Sequence, residues 1–142
     1  MGGDGTHFAA FYSVRREPDR SLPSKTEIGR RAERLAACYL QLRGYRILAA
    51  NVRDGPRELD LITQRGGVYA VVEVRFRSRE DFGTAEETVR ARKRRDLYRA
   101  GRAWWLGQAR GRGQLRFDLL AIRLTARGLR LRHYVGFLPP GG

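Results

Sequence analysis

Glu58-Leu59-Asp60-Leu61-Ile62-Thr63-Gln64-Arg65-Gly66-Gly67-Val68-Tyr69-Ala70-Val71-Val72-Glu73-Val74-Arg75-Phe76 is the stretch that decides the fold. Glu58 to Thr63 alternates as a strand does, Gln64-Arg65-Gly66-Gly67 is turn chemistry, and Val68 to Phe76 is rich in β-branched and aromatic residues. The reading is an antiparallel hairpin. With Gly66-Gly67 as a two-residue loop, the cross-strand partners are Arg65 with Val68, Ile62 with Val71, Asp60 with Glu73 and Glu58 with Arg75. A loop at Arg65-Gly66 slips the register by two residues and keeps both acids on one face, whereas a three-residue loop separates them. In the first register the Cβ atoms of Asp60 and Glu73 lie about 5 Å apart, where like charges destabilise a sheet. A hard divalent cation held between the two carboxylates would reverse that penalty.

Upstream, Ser24-Lys25-Thr26-Glu27 fits a capping box and opens a first helix that Gly44 ends. Ile28, Ala32, Leu35, Ala36, Tyr39, Leu40 and Leu42 recur at helical spacing as its buried stripe, and Cys38 is expected to pack in the same helix. Glu33 falls just beyond the stripe, and the pattern favours a surface residue paired with Arg30 or Arg34. Tyr45 to Val52 reads as a strand, followed by a turn at Arg53-Asp54-Gly55-Pro56. Tyr69-Ala70-Val71-Val72 has little polar alternation, as in a central strand covered on both faces. Downstream, Thr84-Ala85-Glu86-Glu87 is a second capping box, opening a long helix through Val89, Leu97, Tyr98 and Trp105 to about Gln108. Leu115 to Leu124 and Leu129 to Val135 are strands joined by a turn at Ala126-Arg127-Gly128. The order is α-β-β-β-α-β-β, an α/β fold whose crossing helix permits a parallel pair in a mixed sheet.

The 142 residues make one domain with room for a true core, read as residues 24–138 between a flexible extension at 1–23 and a short tail at 139–142. A net charge of +14 points to a polyanionic partner, nucleic acid first, although arginine-rich codon bias is the bland alternative: lysine occurs only at Lys25 and Lys93. The basic residues Arg90, Arg92, Lys93, Arg94, Arg95, Arg99 and Arg102 concentrate on the second helix, where guanidinium forks suit phosphates. Trp104 and Trp105 could stack on bases or serve the core. No apolar run approaches the roughly 20 residues that span a bilayer, and no apolar signal segment opens the chain, so a soluble, cytoplasmic protein is expected. Cys38 is the only cysteine, which excludes an internal disulfide.

Six blocks carry a resemblance: Gly29-Arg30-Arg31-Ala32-Glu33, Leu42-Arg43-Gly44-Tyr45-Arg46-Ile47-Leu48, Glu58-Leu59-Asp60-Leu61-Ile62, Val72-Glu73-Val74-Arg75, Arg92-Lys93-Arg94-Arg95 and Arg116-Phe117-Asp118. Together they resemble the YraN-like family of small bacterial proteins, which is similar to restriction endonucleases of the PD-(D/E)XK superfamily and to archaeal Holliday junction resolvases. The resemblance implies a restriction-endonuclease-like α-β-β-β-α-β core with an extra C-terminal strand. It also implies that Glu33, Asp60 and Glu73 are the acids of a nuclease motif. In the related nucleases such acids hold Mg²⁺ or Mn²⁺, and the lysine of a Glu-x-Lys triplet assists the attacking water. Here that triplet is Glu73-Val74-Arg75, and the family's Gly-Glu-Ile-Asp block begins with Arg57. Arginine keeps the charge but does not serve as a base, and Arg75 has a bland role as the ion-pair partner of Glu58 or Asp60. Lys93 could reach the same phosphate. Three functions follow: a metal-dependent endonuclease acting on DNA, branched DNA included, with Asp60 and Glu73 as metal ligands and Glu33 and Arg75 assisting; a nucleic-acid-binding protein that keeps the fold without cleavage; or a scaffold. Symmetric cutting of a junction would favour a homodimer. His133 resembles a family histidine but reads as structural, and His7 lies in the extension.

Overall fold

The computed structural model describes residues 11–12, 24–77 and 90–139. Their order is β1 (Phe11–Tyr12), α1 (Lys25–Leu42), β2 (Arg46–Asp54), β3 (Arg57–Arg65), β4 (Val68–Arg77), α2 (Ala91–Gln108), β5 (Gln114–Thr125) and β6 (Gly128–Tyr134). The strands form one six-stranded sheet in the order β1-β6-β5-β4-β3-β2. Only β4 and β5 are parallel, with α2 as the crossover between them; the other neighbours run antiparallel. This is the α-β-β-β-α-β order of a restriction-endonuclease-like core, extended by β6 as a C-terminal strand. Phe11–Tyr12, inside the stretch read as an extension, pairs with β6 at the sheet edge.

The hairpin adopts the register of the Gly66-Gly67 loop, with Arg65 opposite Val68 and Ile62 opposite Val71. Gly66 turns with φ +58°, which a glycine adopts without penalty. β4 is covered on both faces, as its run of apolar residues requires. On one face Val72, with Leu61, Leu120, Ile122 and Leu131, packs under Ala32, Ala36, Tyr39 and Leu40 of α1. On the other, Val71 joins Ile62, Phe117 and Leu119 against Leu97 and Ala100 of α2. Gly101 lets α2 sit this close, because a Cβ there would lie 2.5 Å from Cε1 of Phe117.

Local signals hold for α1, where Ser24 Oγ accepts the Glu27 N–H at 3.2 Å, as a capping box requires. Leu42 of the expected stripe, and Cys38, which was expected to pack in the same helix, do not follow. Leu42 is 83% exposed, because it is the last helical residue and the chain turns away at Gly44 towards β2. Cys38 is exposed, since it falls on the side of α1 away from Ala36 and Leu40. The start of α2 also differs: Arg90 occupies the N-cap without a side-chain hydrogen bond, and the helix begins at Ala91. Thr84-Ala85-Glu86-Glu87 lies outside the described residues.

Candidate active site

Asp60 and Glu73 follow directly from the hairpin register. The last paired rung is Leu61 with Val72, so Asp60 and Glu73 are the next residues in line, on the α2 face. There the ladder stops, while β3 continues to pair with β2 as far as Asp54 and Arg57. Val74 N–H is donated to Asp60 Oδ2 at 2.9 Å, a carboxylate taking the role of a ladder carbonyl. Two acids directly opposite each other oppose close strand pairing, and the strands part where they meet.

The charge is managed by a proton and by cations. Glu73 is 4% exposed, and burial, then the neighbouring Asp60 charge, pushes its pKa up to about 8. Burial also raises Asp60, against the opposing Val74 N–H. Glu73 in its protonated form donates to the Asp60 carboxylate, so the pair holds one proton at neutral pH. Lys93 Nζ of α2 lies 3.9 Å from Glu73 Oε2, and Arg75 Nε lies 3.8 Å from Glu73 Oε1. Arg75 thus pairs with the acid two residues back on its own strand, rather than serving as the cross-strand partner that the sequence suggested. Glu73 Oε2 and Arg75 Nε are both buried without a hydrogen-bond partner. These two orphaned atoms, one acceptor and one donor, flank the carboxylate pair.

Glu33 comes from α1. Burial and then the charge of Asp60 raise its pKa, while a hydrogen bond with Asn51 opposes them and Arg30 contributes least. The surface pairing with Arg30 or Arg34 that the pattern favoured gives way to an inward-leaning acid. Asn51 is the residue that sequence reasoning missed. It sits on β2 opposite Asp60, between the pairs Ala50–Leu61 and Val52–Leu59, with φ +51°. Asparagine is among the few non-glycine residues that tolerate this region, and a polar residue between Ala50 and Val52 in a strand was the available signal.

Among the described residues, no group of three or more His, Cys, Asp or Glu side chains converges to cage a metal ion. Asp60 and Glu73 form the acid pair, and Glu33 reaches it through the charge of Asp60. The basic residues of α2 divide by face. Arg92, Arg95, Arg99 and Arg102 form an exposed ridge at helical spacing; Lys93 turns towards Glu73, Arg94 is half-buried, and Arg90 caps the helix. Arg57, in the position of a family glycine, bridges Asp54 at 3.5 Å and Asp96 of α2 at 3.6 Å, tying the helix to the β2–β3 turn.

His133 belongs to a separate network on the α1 face. Its Nε2 lies 2.9 Å from Asp118 Oδ2, and Arg116 Nη2 reaches the same oxygen at 2.8 Å and Tyr45 Oη at 2.7 Å. Burial opposes the Asp118 charge most strongly, yet hydrogen bonds from His133 and Arg116 together hold its pKa below the ordinary value. Asp118 also accepts Gly136 N–H, so this network locks β5, β6 and the chain beyond them. The structural reading of His133 is the one its contacts support.

The Uncharacterised protein family UPF0102 matches residues 32–122, which span α1 to β5 and every acid described above. This chain belongs to that family. Similar UPF0102 proteins include one from Vibrio campbellii, 38% identical over 110 residues that cover 76% of this chain and 90% of the relative. One from Bordetella avium is 43% identical over 103 residues, covering 72% of this chain and 71% of its own. A UPF0102 protein of Halorhodospira halophila is 45% identical over 104 residues, 73% of this chain and 84% of the relative. The aligned lengths correspond to the two-helix, mixed-sheet core, so UPF0102 membership and the nuclease-like fold describe the same part of the chain. No helix among the described residues of this UPF0102 protein is long and apolar enough to cross a membrane.

Proposed function

We propose that this protein is a metal-dependent endonuclease acting on DNA, branched DNA included. The observation that carries the reading is the buried Asp60–Glu73 pair, held at the point where β3 leaves β4, with Lys93 and Arg75 beside it. A pair that retains a proton at neutral pH is a site where a hard cation can take that proton's place. The orphaned Oε2 of Glu73 is a free donor for it. Asp60 and Glu73 would hold Mg²⁺ or Mn²⁺, with Glu33 linked through a water. The bound metal would supply Lewis-acid polarisation of a phosphate oxygen and acidify a coordinated water.

The chain's own residues divide the remaining work. Asp60 is oriented by Val74 N–H, which fixes its carboxylate plane. Arg75 offers permanent charge to a phosphate but does not act as a base. Lys93 approaches from α2, supplies a second cation and, unlike an arginine, is able to give up a proton; it would fill the role that the Glu73-Val74-Arg75 triplet leaves open. The exposed arginine ridge of α2 would carry flanking phosphates and set the register of the strand.

A non-catalytic DNA-binding protein is the second reading, favoured by Arg75 in the lysine position and by the absence of a third ligand among the described residues. Cleavage assays on duplex, single-stranded and four-way-junction DNA, with Mg²⁺, Mn²⁺ or chelator, separate the two. The endonuclease reading expects metal-dependent cleavage that Asp60→Asn and Glu73→Gln abolish, that Lys93→Met lowers by about 10²-fold or more, and that Arg75→Lys enhances. Inert protein that still binds DNA transfers the case to the binding reading, and cleavage that survives both acid substitutions places the site elsewhere.

A further inference from the structure

α2 lines a cleft on a face away from the carboxylates. Tyr98, Arg102 and Trp105 lie one and two turns apart on the same side of the helix, over Leu115 and Phe117 of β5. The chain beyond β6 forms the opposite wall with Leu138, tethered where Phe137 N–H is donated to Phe117 O at 2.9 Å. The open cleft has a volume of about 580 Å³, within the range of small-ligand sites.

Its chemistry is mixed in a specific way. Phe117 is buried and Tyr98 packs on it, with ring centroids 5.6 Å apart, so one aromatic wall is rigid. Trp105 is held by its indole N–H, donated to Arg112 O at 2.7 Å, which fixes the ring plane. Arg102, exposed, also lines the cleft and is the last member of the ridge Arg92, Arg95, Arg99 and Arg102. An aromatic cleft at the end of an arginine ridge matches a base stacked on a π-face with its phosphate held outside. A duplex keeps its bases stacked on one another and offers nothing to such a cleft. Arg102 lies nine residues beyond Lys93, about 14 Å along the helix axis. Nine residues also carry a half-turn, so the cleft and the carboxylate pair lie on opposite sides of α2.

We propose that this cleft binds an unpaired nucleobase, so that the substrate is nucleic acid carrying a single-stranded segment. The inference rests on the nucleic-acid reading above and adds the strandedness of the ligand. Its test compares two probes with matched phosphate number, an oligothymidylate of about twelve nucleotides and a blunt duplex, by fluorescence anisotropy and tryptophan emission on the full chain. Binding to the oligothymidylate is expected to be at least about fivefold tighter than to the duplex. It should also quench tryptophan emission. Trp105→Phe should remove the quenching and Trp104→Phe should retain it, because Trp104 faces Tyr69 at 6.2 Å rather than the cleft. Tyr98→Leu should reduce the preference towards one; should it melt early by circular dichroism, Arg102→Gln, on an exposed side chain, must reduce it instead. Equal binding of both probes without quenching overturns the cleft and leaves the nucleic-acid reading standing. Failure to bind either probe overturns both. Emission that changes with protein concentration alone, together with a dimer in sedimentation, assigns the cleft to a second copy of the chain and also overturns the proposal.

Discussion

Replacing Glu73 with glutamine should make the metal-free protein more stable in alkaline solution, against the usual expectation for a buried candidate-site substitution. The folded protein raises the Glu73 pKa from an ordinary 4.5 to about 8 by burial and by the adjacent Asp60. A group whose folded pKa is raised stabilises the fold fully below its unfolded value and loses that contribution as pH climbs through the folded value. The 3.5-unit difference between these two values corresponds to a ceiling of about 5 kcal/mol. Water entering the parted strands and proton sharing with Asp60 reduce it, so we expect a loss of about 2–5 kcal/mol between roughly pH 5 and pH 9. Glutamine mimics the protonated acid and does not ionise. Urea denaturation in chelator at fixed ionic strength, across that pH range, gives both curves; their difference removes the titrating groups that do not interact with Glu73. Wild type should fall relative to Glu73→Gln as pH rises, and Mn²⁺ at about pH 8 should restore wild type and not the variant. Two curves that remain parallel from acid to alkali would refute the shared-proton account of the site.

Three further outcomes follow from other parts of the molecule. Gly101→Ala brings its Cβ to 2.5 Å from Phe117 and should destabilise by about 1–2 kcal/mol net of its helix propensity, while Gly107→Ala, with no neighbouring atom within 4 Å, should stabilise by up to about 1 kcal/mol in the same urea assay. Asp118→Asn leaves the half-buried Arg116 without its anion and should cost about 2–4 kcal/mol near neutral pH. Because the folded Asp118 pKa is depressed, the stability it contributes is present above its ordinary 3.8 and lost as pH falls, so the deficit of the variant should shrink in acid. Changing Arg92, Arg95 and Arg99 together to glutamine should flatten the slope of log affinity for duplex DNA against log salt by about 0.9 per lost phosphate contact; an unchanged slope places the DNA on another surface.

The hairpin was legible because two glycines in sequence leave few turns, and a fixed turn fixes every cross-strand pair behind it. Asp60 and Glu73 were therefore placed together by register alone, with Glu73 on a strand that the apolar run Tyr69 to Val72 had already marked as central. Glu33 was harder. Helical periodicity assigns it to the edge of a stripe, and its contact with Asn51 of β2 and the charge of Asp60 arise only once α1 packs on the sheet. Lys93 and its neighbours formed one basic run in the sequence, yet a rotation of about 100° per residue separates an inward lysine from an outward ridge. The pairing of His133 with Asp118 joins residues on two strands, and neither side chain carries a local pattern that announces its partner. Leu42 was misread because the buried stripe ends before the helix does, and Cys38 because apolar character alone does not say which side of the helix a residue takes.

The parallel pairing of β4 and β5 has a consequence for how the protein is made. β2, β3 and β4 form a meander of near neighbours, available as soon as residue 77 leaves the ribosome, and it already contains Asp60 and Glu73. The ten residue pairs from Val68–Gln114 to Arg77–Arg123 close only after α2 and β5 have been synthesised. Loop closure over this distance is slow compared with hairpin formation. During that interval the nascent chain has two opposed carboxylates without Lys93 and an apolar central strand with an open edge, a state prone to stray pairing. Arrival of the second helix neutralises the first and leads in the strand that seals the second, so one late docking step both completes the acid pair's surroundings and closes the sheet's most aggregation-prone edge.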